Sequence, residues 1–105
     1  MNANEDGKAS GRSPVQVRHN PEAQQFEATV DGELCRAHYR RTGDVLAMNH
    51  TEVPPRLSRR GIAGELVRAA IEFARVNGLR IAPHCSYVRG YFQRHPEARD
   101  VLARI

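Results

Sequence analysis

Apolar positions recur along this chain with two different periods, and the change of period marks its architecture. Over Gln25–Val30, Phe26, Ala28 and Val30 alternate with Gln25, Glu27 and Thr29, the period of two expected of a strand with one buried face. Asp31-Gly32 follows, then a second alternating run over residues 33–40. It carries Cys35, Ala37 and Tyr39 on one face and Arg36, His38 and Arg40 on the other. Asp-Gly between two such runs predicts a hairpin, because a tight two-residue turn needs positive φ. Cys35 reads as a buried, inert thiol. After the turn at Thr42-Gly43-Asp44 comes a third run, Val45–Glu52. Strict alternation puts Leu46, Met48, His50 and Glu52 on one face, and Val45, Ala47, Asn49 and Thr51 on the other. The first of these faces begins apolar and ends ionisable, as a strand entering a site does; a plain exit into solvent gives the same pattern. Upstream, residues 15–18 read as a short strand ended by Asn20-Pro21.

The period then becomes 3.6. Ile62, Leu66, Ala70, Phe73 and Ala74 form a stripe widened by Ala63, Val67 and Ile71, which predicts an amphipathic helix over about 59–76. Ser58 is its expected cap and Asn77-Gly78 its expected close. Pro54-Pro55 cannot continue a central strand and separate it from the run before. Residues 79–82 form a further short strand stopped by Pro83. Strand, helix, strand implies a right-handed crossover and a parallel pair. The loops after Glu52 and after Ala82 then share one sheet edge, the usual ligand edge, which brings Arg56, Ser58 and Gly61 near His84, Cys85 and Tyr87. Ser86–Arg94 reads as a short helix with Tyr87, Val88, Tyr91 and Phe92 inward. A last helix starts at Pro96, with Ala98, Val101, Leu102 and Ile105 on its apolar side. The expected class is mixed α/β: antiparallel strands, a β-α-β crossover with a parallel pair, and short C-terminal helices.

Charge alters the picture at the start of the long helix. Arg59 and Arg60, with Arg56 before them, lie at the positive end of the helix dipole, each unfavourable there by about 0.3–1 kcal/mol. Such a cluster reads as an anion site, or as arginines that merely face water. Gly61 and Gly64 do not complete a dinucleotide fingerprint, and no P-loop lysine follows. The chain has 105 residues, a formal charge of +4 and a pI near 9.7. That length predicts one small domain over 14–105, preceded by a disordered tail over 1–13, where no large apolar side chain follows Met1. The basic balance favours nucleic acid, a phosphorylated cofactor or an anionic surface. Nucleic acid is poorly supported: Arg36, His38, Arg40 and Arg41 make the best patch, but no helix carries a groove-reading row. Two cysteines fifty residues apart form neither a redox pair nor a zinc quartet, and His84, Cys85 and His95 lack zinc spacing, so no metal is expected. No leader or membrane span is visible, and a soluble cytoplasmic protein is the expectation. Nothing fixes the oligomeric state; a monomer is the default. Adjacent His84 and Cys85 point apart too readily to act together, whereas His50 and Cys85 can meet across the parallel sheet edge. A cysteine at a helix start near Arg89 has reason to ionise early; the plainer reading of a lone cysteine is a structural thiol.

The residues also carry a likeness. His50-Thr51-Glu52-Val53-Pro54-Pro55, then Leu57-Ser58-Arg59-Arg60-Gly61-Ile62-Ala63 and Leu66-Val67, closely resemble the GNAT superfamily of acyl-CoA-dependent N-acetyltransferases, and most of all its very short stand-alone group. The Cys85 segment and His95-Pro96-Glu97 match that group too, and the likeness runs from about residue 15 to 102. It implies a compact mixed sheet that binds acetyl-CoA through Val53, Arg59, Arg60, Gly61, Ile62, Ala63 and Gly64. The pyrophosphate would rest on backbone amides of the 59–64 turn, and the pantetheine arm between strands 45–52 and 79–82. Ser58 and Arg59 depart from the pattern, which opens with Arg or Gln, often followed by Gly. The implied activity is acetyl transfer from acetyl-CoA to an unidentified amine. Glu52 or His50 would be the base, and Tyr91 or Cys85 would serve the leaving thiolate. A backbone amide at the end of strand 45–52 would polarise the thioester. Cys85 also permits an acyl-cysteine route. The alternative is a non-catalytic acyl-CoA-binding or regulatory module.

Overall fold

A computed structural model describes residues 15–104, so the tail expected over 1–13 lies outside the described residues. Five strands form one sheet in sequential order: β1 (Arg18–Asn20), β2 (Gln25–Val30), β3 (Glu33–Thr42), β4 (Val45–Glu52) and β5 (Arg80–Pro83). The first four pair antiparallel; β4 and β5 are parallel, joined through helix α1 (Ile62–Asn77). A second helix, α2 (Ser86–Arg94), and a 3₁₀ segment, Pro96–Val101, complete the chain. This is the mixed α/β arrangement the pattern predicts. No described helix is long and apolar enough to cross a membrane.

One face of the sheet and the apolar sides of both helices make the core. Phe26, Ala28, Cys35, Ala37, Leu46 and Met48 meet Leu66, Val67 and Ala70 of α1 and Val88 and Phe92 of α2. Each large side chain removed from water contributes about 1.5–3 kcal/mol. Cys35 is fully buried, and that burial pushes its thiol up. The first strand lies later than residues 15–18. His19 sets its register: its ring stacks on Phe26 at 4.3 Å and bonds the Tyr39 hydroxyl at 2.6 Å. Val15 and Val17 pack against the core edge instead. Alternation also misses Glu27, which is buried on the helix-free face. Its carboxylate accepts from Gln25 Nε2 (2.6 Å), Asn20 Nδ2 (2.9 Å) and Arg18 Nε (3.1 Å). Those bonds, Gln25's foremost, hold it below the usual carboxylate range.

Two local departures reposition candidate site residues. Ala37 faces Thr51 and His38 faces His50, but Tyr39 faces Met48, so Asn49 is an extra residue in β4. This β-bulge reverses the faces beyond it. Thr51, opposite buried Ala37, joins Leu46 and Met48 on the core side. His50 and Glu52 turn to the helix-free side with His38 and Arg36, which corrects the expectation that they continue the Leu46–Met48 face. The second departure is at α1, which starts at Ile62 rather than at 59. Arg59 (φ 68°) and Gly61 (φ 77°) are both left-handed, a conformation that cannot belong to an α-helix. Ser58 therefore closes the 3₁₀ turn Pro55–Leu57, its N–H donating to Pro55 O at 3.1 Å, and does not cap the helix. The far end is as expected: Gly78 is left-handed and the Leu79 N–H donates to Ala74 O at 2.8 Å. The final helix proves to be the 3₁₀ segment, with Ala98 and Val101 buried; Ile105, expected on its apolar side, lies outside the described residues.

Candidate functional site

β4 and β5 pair from Val45↔Arg80 to Met48↔Pro83 and then part. At the fork the N–H groups of His84 (3.0 Å) and Cys85 (2.9 Å) both donate to Met48 O. From there the chain turns into α2, while β4 continues alone on that side to Glu52. Cys85 is the residue that precedes the first turn of α2. Its Sγ lies 3.6 Å from Thr51 Oγ1. Burial is the largest influence on this thiol and pushes it up. The amides of Val88, Tyr87 and Thr51 together with the Thr51 hydroxyl outweigh it, so the thiol ionises below its ordinary value. The side chain makes no standard capping bond; the amides at the start of α2 act on the sulfur by facing it.

Beside the fork lies a cleft of about 360 Å³. Five of the seven residues expected to hold the coenzyme line it: Val53, Arg59, Gly61, Ile62 and Ala63, joined by Leu57, Ser58 and Tyr87. Gly61 has no side chain to cap α1, and the first helical bond runs from Glu65 N to Gly61 O at 3.1 Å. The amides of Ile62, Ala63 and Gly64 precede that bond and remain available to an anion. The other two expected residues are placed differently. Arg60 Nη1 pairs with Asp31 Oδ2 at 2.8 Å, which holds that carboxyl below its usual range. Arg56 likewise pairs with Glu33 and donates to Asp31 O at 3.2 Å. Gly64 faces α2: a Cβ there would make ordinary contact with the Tyr87 hydroxyl at 3.4 Å and the Tyr91 ring at 3.9 Å.

The expected catalytic set divides. Cys85 is at the fork. Glu52 pairs with Arg36 at 2.8 Å on the helix-free face, with His50 Nε2 3.8 Å from the Glu52 carboxylate. The expected meeting of His50 with Cys85 is thus replaced by Thr51 with Cys85, because the bulge exchanged the two faces. Tyr91 is buried and does not line the cleft; it stacks on His95 at 4.1 Å, and burial raises its hydroxyl. Tyr87 is the tyrosine in the cleft. Sequence reasoning missed Thr51, and only a sign of the bulge would have revealed it.

The sequence profile of the GCN5-related N-acetyl-transferase family matches residues 25–101. Protein NATD1 of Gallus gallus is 34% identical over 86 residues, covering 79% of this chain and 78% of that protein. The Homo sapiens protein of the same name is 33% identical over 86 residues, 79% of this chain and 76% of that one. The solution structure of a GCN5-like protein from Staphylococcus aureus superposes with a TM-score of 0.69, covering 90% of this chain and 93% of its own. At 24% identity that likeness is one of fold. The profile match spans most of the chain, and with these relatives it shows that the protein belongs to the GCN5-related N-acetyltransferase family.

Proposed function

We propose that the protein is an acetyl-CoA-dependent N-acetyltransferase acting on an amine. The observation that carries this reading is the uncapped start of α1, with Arg59 beside it, opening on the cleft next to the β4–β5 fork. A glycine in place of a capping side chain, amides directed outward and a cation at the rim fit a pyrophosphate. Bound acetyl-CoA would supply the activated acyl thioester. Ile62, Ala63 and Gly64 would hold its phosphates by main-chain N–H groups, Arg59 would add a charge, and Val53 and Tyr87 would line the way to the fork. Cys85 would return a proton to the leaving sulfur or act as the acyl-accepting nucleophile. Glu52 or His50 would take the proton of an amine that arrives from the helix-free face.

A second reading, a coenzyme A-binding module without turnover, is favoured by one feature: Glu52 is already engaged by Arg36 and lies across the sheet from Cys85. Thermal unfolding with coenzyme A, acetyl-CoA and buffer, then an amine screen, separates the two. Saturation at a hundred times Kd stabilises by about 2.7 kcal/mol. Stabilisation with turnover supports transfer; stabilisation without turnover supports the module. No shift with millimolar coenzyme A refutes both.

A further inference from the structure

We propose that Thr51 is the positioning residue for Cys85, its hydroxyl holding the sulfur at the unpaired edge of β4. The inference rests on the reading of Cys85 as a group at the acyl end of the cleft. It adds an assignment that the strand's alternation denies, since without the extra residue at Asn49 His50 would take this place.

The geometry is specific to the fork. Thr51 pairs with Ala37 on the β3 side, and its other side looks into the gap left where β5 ends at Pro83. Cys85 is fixed in that gap from behind, its own N–H tied to Met48 O at 2.9 Å and its carbonyl accepting from Arg89 N at 3.0 Å. The sulfur thus has α2's first amides on one side and Thr51 on the other, with Oγ1 at 3.6 Å. The groups around it are uncharged donors. Arg89, one turn along α2, is turned away, donating to the carbonyls of Pro83 and His84 at 3.3 and 2.7 Å. On β4, His50 and Glu52 flank Thr51 but occupy the opposite face. On α1, Gly64 meets Tyr87 and presents no charge. A hydroxyl that donates to the sulfur favours the thiolate over the thiol and restricts where it points. The thiolate is the form that attacks an acyl carbon: the Cys85 S–C bond forms, the coenzyme's C–S bond breaks, and the departing sulfur carries the electron pair until it takes a proton.

The test needs no coenzyme. Iodoacetamide modification of Cys85 in the whole protein is followed by peptide mass spectrometry across pH 5–10, with buried Cys35 as the internal control. Thr51→Val keeps the shape and removes the hydroxyl; Thr51→Ser keeps the hydroxyl. Thr51→Val is expected to move the Cys85 midpoint up and slow modification at pH 7 about three- to tenfold, while Thr51→Ser stays within about twofold of the parent. A Thr51→Val profile that overlays the parent overturns the proposal. So does equal loss in both variants with Cys35 newly modified, since that marks a packing role. Coenzyme-induced stabilisation of the same proteins reports separately on the cleft: a profile shift without it would leave Thr51's role standing and remove the transferase reading.

Discussion

Replacing Arg59 with glycine should strengthen the fold while weakening the site. Arg59 holds φ at 68°, where a side chain's Cβ crowds the following carbonyl and costs about 1–2 kcal/mol. Glycine removes that strain but gives the unfolded chain extra freedom worth about 0.5–1 kcal/mol. The difference leaves the Arg59→Gly protein more stable by about 0.5–1 kcal/mol, a rise in Tm of about 2–8 °C for a domain of this size. Arg59 also lines the cleft, and among the described residues it forms no ion pair, unlike Arg56 and Arg60. Its loss should lower affinity for coenzyme A about three- to tenfold and flatten the dependence of binding on salt. Chemical denaturation without ligand measures the first effect; calorimetric titration at two salt concentrations measures the second. A variant less stable than the parent by 1 kcal/mol or more would refute the strain argument. Unchanged affinity and salt slope would refute the phosphate contact.

Other outcomes follow from groups away from the cleft. Burial lowers the pKa of His19, so the unfolded chain binds its proton more readily than the folded one. Stability should be level above the ordinary histidine value of 6.5 and decline as pH falls below it. Urea melts across pH 5–8 should show this slope, and His19→Phe, which cannot titrate, should flatten it. Glu27→Ala strands the donors of Gln25, Asn20 and Arg18 around an emptied position and should cost about 2–3 kcal/mol in a denaturant melt; a neutral result would mean that water replaces the carboxylate without loss.

The parts of the fold legible in sequence are those where backbone demand and side-chain pattern agree. Asp31 (φ 51°) and Gly32 (φ 78°) adopt the left-handed pair that the Asp-Gly signal requires. The strands on either side pair as a hairpin, with Phe26, Ala28, Cys35, Ala37 and Tyr39 buried as the alternation predicts. Gly78 ends α1 for the same reason. The misreadings occur where backbone geometry has no compositional marker. An inserted Asn49 among polar neighbours leaves the alternation of β4 outwardly intact, yet it exchanges Thr51 with His50. Ser58 has the chemistry of a helix cap, but the left-handed turn at Arg59 and Gly61 intervenes before the helix can begin. The location of the candidate site could be read from the topology of strand, helix and strand. Which side chains enter it depended on one extra residue.

The carboxylates of Asp31 and Glu33 that occupy Arg60 and Arg56 have a consequence for how the molecule behaves in a crowded mixture of anions. A surface with three bare guanidinium groups would gather nucleic acids and free nucleotides indiscriminately. Here the hairpin supplies two of the three with built-in counter-ions, so attraction at a distance would rest mainly on Arg59. On the proposed reading an anion would be held by that one charge together with short-range contacts to the main chain. Such a rim would favour a ligand more for its shape than for the number of its negative charges.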